Sequence, residues 1–163
     1  VRGRAAVLAA VLATAAGGCD LPAVGGTSGV LRDAGGGAVA VLSWCAGFGR
    51  PALIGLYGVG GDNPLMTITR EGAAPPGDFL TVPLREPPEG WRADRPLPLL
   101  DRYASYEIRV WNESGDGRMT GPVFRPGELR DLVLTERWGD GDAYVRTFAP
   151  VDEFRRAAAQ TCG

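Results

Sequence analysis

The stretch Ala38-Val39-Ala40-Val41-Leu42-Ser43-Trp44-Cys45 decides the fold. Its apolar side chains fall on both alternating sets of positions. A strand with one wet face alternates apolar and polar residues; a strand covered from both sides does not. Residues 38–45 therefore predict a central strand with packing on each face.

The flanking sequence is a series of short apolar runs cut by turn residues, which is an all-β pattern. Leu53–Val59 is followed by the turn Gly60-Gly61-Asp62-Asn63-Pro64 and a second run, Leu65–Arg70. Phe79–Leu84 lies between Pro75-Pro76-Gly77 and Pro87-Pro88, and Pro83 within it predicts an edge position. Tyr106–Trp111 alternates, with Tyr106, Ile108 and Val110 on one face and Glu107, Arg109 and Trp111 on the other. Val133–Trp138 and Tyr144–Phe148 flank Gly139-Asp140-Gly141-Asp142, a hairpin signal. The last segment changes period. Pro150 suits a helix start, Asp152 and Glu153 suit its positive end, and Val151, Phe154, Ala158 and Cys162 share one helical face. That face points Cys162 toward the core.

Val41-Leu42-Ser43-Trp44, followed by Ile54-Gly55-Leu56-Tyr57-Gly58-Val59, resembles the second and third strands of fibronectin type III domains. Tyr106-Glu107-Ile108-Arg109-Val110-Trp111-Asn112, with Gly115, Gly117 and the run to Pro122, resembles their F strand and the hairpin after it. The resemblance implies an immunoglobulin-like antiparallel β-sandwich over residues 38–124, to which the short C-terminal α-helix is an addition. The interval from Tyr57 to Tyr106 is longer than that family's usual spacing, and residues 125–163 lie outside the resemblance. The Trp44-Cys45 strand and the Phe154-Arg155-Arg156-Ala157 helix ending in Cys162 also resemble exported lipoproteins of actinobacteria. That likeness implies export and membrane attachment and no activity.

Composition narrows the chemistry. The 163 residues include 17 arginines, 19 acidic residues, no lysine and no histidine. Without histidine there is no Ser-His-Asp or Cys-His pair and no imidazole metal ligand. Without lysine there is no Schiff-base amine and no P-loop lysine. The arginines are scattered, with no run of three, so no nucleic-acid footprint is present. Carboxylates, tyrosine, arginine and hydroxyls remain, a set that suits a glycosidase better than most enzymes.

Residues 1–18 read as a lipoprotein signal peptide. Arg2 and Arg4 precede an uncharged apolar stretch, Ala5–Ala16, of 12 residues. That is the length of a signal-peptide core and well short of the roughly 20 residues needed to span a bilayer. Ala16-Gly17-Gly18-Cys19 resembles a bacterial lipobox, with Ala16 where leucine is usual. The implied processing is cleavage before Cys19 and transfer of a diacylglycerol to its sulfur; two acyl chains suffice for stable anchoring. Ala13-Thr14-Ala15 also fits an ordinary cleavage site, which would release a secreted protein. Residues 19–37 are Gly-rich and predict a flexible tether, with at most a short strand near Gly29–Arg32, and residues 38–163 form one domain.

Three cysteines in an exported chain leave one odd thiol. Lipid on Cys19 would leave Cys45 and Cys162 to pair as a disulfide, pinning the terminal helix to the central strand; two buried free thiols are the alternative. Removing residues 1–18 takes away two of the 17 arginines, moving the net charge from −2 to −4.

Other candidates each have a plainer reading. Asp140 and Asp142, with Asp116 or Asp62, offer oxygens to Ca²⁺, but no ligand spacing surrounds them and a Gly/Asp turn explains them. Trp91, Trp111 and Trp138, with Tyr103, would present an aromatic face to a cell-wall glycan or protein partner, or be covered by a loop or the helix. Glu107 with Glu113, or Glu136 with Asp140, would be an acid–base pair, although charges on strand faces are ordinary. The expectation is a non-enzymatic, cofactor-free binding or scaffolding module at the outer face of the cell membrane. A secreted carboxylate-dependent glycan-active enzyme and an accessory subunit of an exported complex are the alternatives.

Overall fold

All seven residues of Ala38–Trp44 are buried, as the two-faced apolar pattern requires. The computed structural model describes residues 25–74, 76–138 and 144–162, without the side chains of Thr120, Arg137, Trp138 and Tyr144. Ten strands follow in order: β1 (Gly26–Arg32), β2 (Ala38–Trp44), β3 (Pro51–Gly58), β4 (Met66–Arg70), β5 (Phe79–Pro83), β6 (Trp91–Ala93), β7 (Tyr106–Asn112), β8 (Arg118–Thr120), β9 (Val133–Trp138) and β10 (Tyr144–Ala149). One helix, α1 (Val151–Thr161), ends the chain.

The strands form two antiparallel five-stranded sheets, ordered β10-β9-β1-β2-β5 and β6-β4-β3-β7-β8. The chain crosses between sheets after β2, β4, β5 and β8, and the first three crossings are the connectivity of an immunoglobulin-like sandwich. β6 and the β9–β10 hairpin extend it. The main core lies between the sheets, where Val30, Ala40, Leu42 and Val82 of one meet Ile54, Leu56, Ile68, Ile108 and Val110 of the other.

The second cover of β2 is α1. Phe154 packs on Val41 and Val133, flanked by Leu31, Phe79 and Val151. The approach of β9 to β1 depends on Gly29. A Cβ there would lie 2.4 Å from Val133 Cγ1 and 2.8 Å from the Leu134 carbonyl oxygen.

The disulfide joins Cys45 to Cys162 across 117 residues of sequence, with Cα atoms 5.2 Å apart. One detail differs from the helical-face reading. The buried residues of α1 are Phe154 and Ala158, while Cys162 is exposed, because the last turn of the helix overhangs the end of β2. The bond is a clasp at the rim rather than part of the core.

The tether expectation is corrected at its C-terminal part. Residues 26–32 are not flexible linker but a strand paired along its whole length with β2, from Gly26↔Trp44 to Arg32↔Ala38. Asp33 closes the connecting turn, its carboxylate accepting the Gly37 N–H at 2.7 Å. Few large apolar residues mark β1, because its neighbours supply the bulk. Ser28, Gly29 and Val30 are all buried. Residues 1–18 and Cys19 lie outside the described residues, as does the Gly139–Asp142 turn, whose flanking strands pair as the hairpin reading requires. Pro83 sits in edge strand β5, and Tyr106, Ile108 and Val110 are the buried set of β7.

Tyr106 has a second role that the alternation alone does not reveal. Its hydroxyl accepts the Asp101 backbone N–H at 2.9 Å, closing the corner that leads into β7. This is the tyrosine corner of immunoglobulin-like sandwiches.

Two outcomes follow. Cys45→Ser should lower unfolding free energy by about 4–5 kcal/mol without reductant and by almost nothing with it, measured by urea denaturation. Equal loss in both conditions would assign the cost to packing. Tyr106→Phe should cost about 1–2 kcal/mol by stranding the Asp101 N–H while keeping the ring in place. An unchanged midpoint would show the corner bond to be dispensable.

Candidate functional site

The outer face of the β3–β7 pair brings aromatic and charged side chains together. Ile54 and Leu56 turn into the core, so Leu53, Gly55 and Tyr57 turn outward, opposite Trp111, Arg109 and Glu107 respectively. Gly55 has no side chain to give, and the Tyr57 and Trp111 rings lean into the space, with ring centroids 6.1 Å apart. A Cβ on Gly55 would stand 2.6 Å from the Tyr57 ring. Arg109 lies over Tyr57, its guanidinium carbon 4.1 Å from the ring centroid, and forms an ion pair with Glu107. Tyr57 is only 6% exposed beneath this lid. Trp111 stays half-buried at the margin. The result is a mostly covered cluster of ring and guanidinium with its charges internally matched.

The tryptophans do not gather into one patch. Trp91 lies in β6 and packs against the main core. Trp111 lies three strands away in β7, on the outer face, and Trp138 belongs to the other sheet, its side chain outside the described residues. Tyr103 is 74% exposed on the connection into β7, with Arg102 5.0 Å from its ring centroid.

The candidate acids are engaged in structure. Glu107 pairs with Arg109 and Glu113 with Arg70, whose guanidinium also donates to the Pro51 carbonyl at 2.6 Å. Asp116 accepts the Ser114 hydroxyl at 2.5 Å and an Asn112 amide N–H at 2.8 Å. Those hydrogen bonds, Ser114 first, hold its carboxyl below the ordinary value. Asn112, buried at the end of β7, also donates to the Phe48 carbonyl at 2.8 Å and accepts the Gly117 N–H at 3.1 Å. The amide thus ties two loops at one pole, a role its place after the β7 alternation does not advertise. Asp62 is exposed, and Asp140 and Asp142 lie outside the described residues. Among the described residues no three His, Cys, Asp or Glu side chains are grouped to hold a metal ion.

Arg146 of β10 is the busiest cation. It pairs with Glu128 at 2.7 Å and Glu136 at 3.0 Å, and donates to the Val123 carbonyl at 2.7 Å. Burial works against the Glu128 charge, but the Arg146 hydrogen bond and the Arg125 N–H it accepts at 2.8 Å outweigh this and hold its carboxyl below the usual range.

A cleft of about 440 Å³ opens beside the disulfide, lined by Ser43 to Ala46, Arg50, Asp78, Ala159 and Cys162. A second, more apolar groove of about 420 Å³ runs along Pro96–Leu100 at the opposite pole. Among the described residues no helix is long and apolar enough to cross a membrane. No known protein family, no curated protein and no solved structure matches the chain.

The Glu128 carboxylate is more acidic folded than unfolded, so its stabilisation is complete above the unfolded value near 4.5 and fades as pH falls through and below it. Glu128→Gln should therefore cost about 0.5–1 kcal/mol at neutral pH, a gap that narrows as pH falls below the unfolded value and the carboxylate takes up its proton. Denaturation midpoints across that range check this; a gap independent of pH would rule out the charge as its source.

Proposed function

We propose that the chain is a lipid-anchored extracytoplasmic protein whose sandwich serves as a non-catalytic binding or scaffolding module at the outer face of the cell membrane. The observation that carries this reading is the pairing of Cys45 with Cys162. A structural disulfide fits an oxidising compartment, and it removes two of three cysteines from consideration. Cys19, directly after an Arg-led apolar stretch and two glycines, is then the one cysteine left to be explained, and lipidation explains it.

The non-catalytic part of this reading rests on residue chemistry. The chain lacks His and Lys throughout, and Glu107, Glu113 and Glu136 are each ion-paired with an arginine. A general acid needs a proton held near neutrality, and a neighbouring guanidinium favours its loss. The outer face bearing Trp111, Arg109 and Glu107 is the surface this reading assigns to a partner, a cell-wall glycan or another exported protein. A carboxylate-dependent glycan hydrolase and an accessory subunit of an exported complex are the competing readings.

The intact mass of the protein extracted from native membranes tests the anchor. A chain starting at Cys19, carrying a diacylglycerol and taking up two alkyl groups only after reduction, is the expected result. A lipid-free chain starting near Ala16 would make it a secreted protein. Carboxylate-dependent turnover of wall glycans by the purified protein would overturn the non-catalytic reading.

A further inference from the structure

A disulfide reacts with a thiol in the folded state where one of its sulfurs can be reached from solvent. Cys162 is exposed, and Cys45 is half-buried at the end of β2. The cleft of about 440 Å³ reaches both residues and leaves room for an incoming thiol. Cys162 also caps the C-terminal end of α1, where the helix carbonyls disfavour a thiolate. Attack on the Cys162 sulfur, with Cys45 as the leaving group, is therefore the favoured direction.

What the bond fastens is otherwise held lightly. α1 buries one large side chain, Phe154, together with Ala158. Its ion pair to the sheet, Arg155 with Asp78 at 3.6 Å, joins side chains 59% and 61% exposed, a class that contributes little. The chain enters α1 from β10 through Pro150, and Cys162 fastens the opposite end. Beneath the helix lie Val41 and Val133, flanked by Leu31 and Phe79, the apolar face that α1 covers.

We propose that Cys45–Cys162 is a thiol-exchange site, which a dithiol opens in the folded protein to release α1 from the outer face of β2. One sulfur of the dithiol, as its thiolate, attacks the Cys162 Sγ. A mixed disulfide forms there while the bond to Cys45 breaks, and Cys45 leaves as a thiolate. The second sulfur of the dithiol then displaces Cys162 and closes the dithiol's own disulfide. The dithiol is oxidised by two electrons, and its two protons end on Cys45 and Cys162. An oxidising medium keeps the bond closed, so the covered state is the resting one. The inference is independent of the anchor at Cys19.

Dithiothreitol added to the purified full chain carrying Cys19→Ser, which removes the third thiol, tests the proposal. Alkylation and intact mass follow the reduction, once in plain buffer and once in urea. The native rate should lie within about a hundredfold of the rate for the urea-unfolded chain. A larger gap would place attack after global unfolding, whose equilibrium constants run to about 10³–10⁸. Hydrogen exchange on the reduced chain reads the release of the helix. Amides of α1 should exchange within about tenfold of the rate for an unstructured chain, while those of β3 and β7 stay protected. The larger gap in rate, protection retained in α1, or protection lost in both sheets as well would each overturn the proposal.

Discussion

The burial of β2 on both faces is the constraint from which the rest of the architecture follows. A strand whose seven side chains are all buried needs hydrogen-bonding neighbours on both edges and an apolar cover on both faces. β1 and β5 satisfy its backbone, and the opposite sheet covers one face. A two-layer sandwich has nothing left for the other face. The C-terminal helix fills that position, with Phe154 on Val41 and Val133. An isolated helix of 11 residues is marginal in water, so the rim disulfide matters as the bond that keeps the helix where the strand requires it.

Much of this was legible because burial on one face leaves a period-two trace. Tyr106, Ile108 and Val110 alternate with Glu107, Arg109 and Trp111, and the structure separates them accordingly. The two-faced run at 38–44 and the edge position of Pro83 carried the same kind of information. β1 was hard to read for a physical reason. A central strand squeezed between a helix and a core is built from small residues, and Gly26-Thr27-Ser28-Gly29 has the composition of a linker. β6, three residues long, is below the length at which a period can register. The disulfide partners were readable by counting, since only one pairing leaves Cys19 over, whereas the rim position of Cys162 depends on where α1 ends relative to β2.

The candidate surface was less legible, because contacts between rings and guanidinium groups depend on register. That Trp111 and Tyr57 share the space over Gly55, and that Arg109 covers Tyr57, follow from pairing Gly55 with Arg109 across β3 and β7. No single strand carries that relation. The polar groups around it hold the loops in place: Arg70 reaches Pro51 and Glu113, and Asn112 reaches Phe48, Asp116 and Gly117. Side chains committed in this way make a rigid frame, and a rigid frame suits recognition by shape.

The Cys45–Cys162 bond also divides the chain into two parts of different character. Everything from residue 45 to residue 162 is a covalently closed ring, and β1 and β2 are a tail outside it. That tail is laid into the middle of the sheet, with β1 flanked by β9 of the ring and by β2. A pull applied ahead of Gly26 therefore runs along a strand held on both sides. Gly26 pairs with Trp44, one residue before the ring-closing Cys45, so a load between that end and the ring falls first on this pair and opens the seven β1–β2 pairs in turn. The start of the described chain and the closure of the ring thus share one pole of the domain.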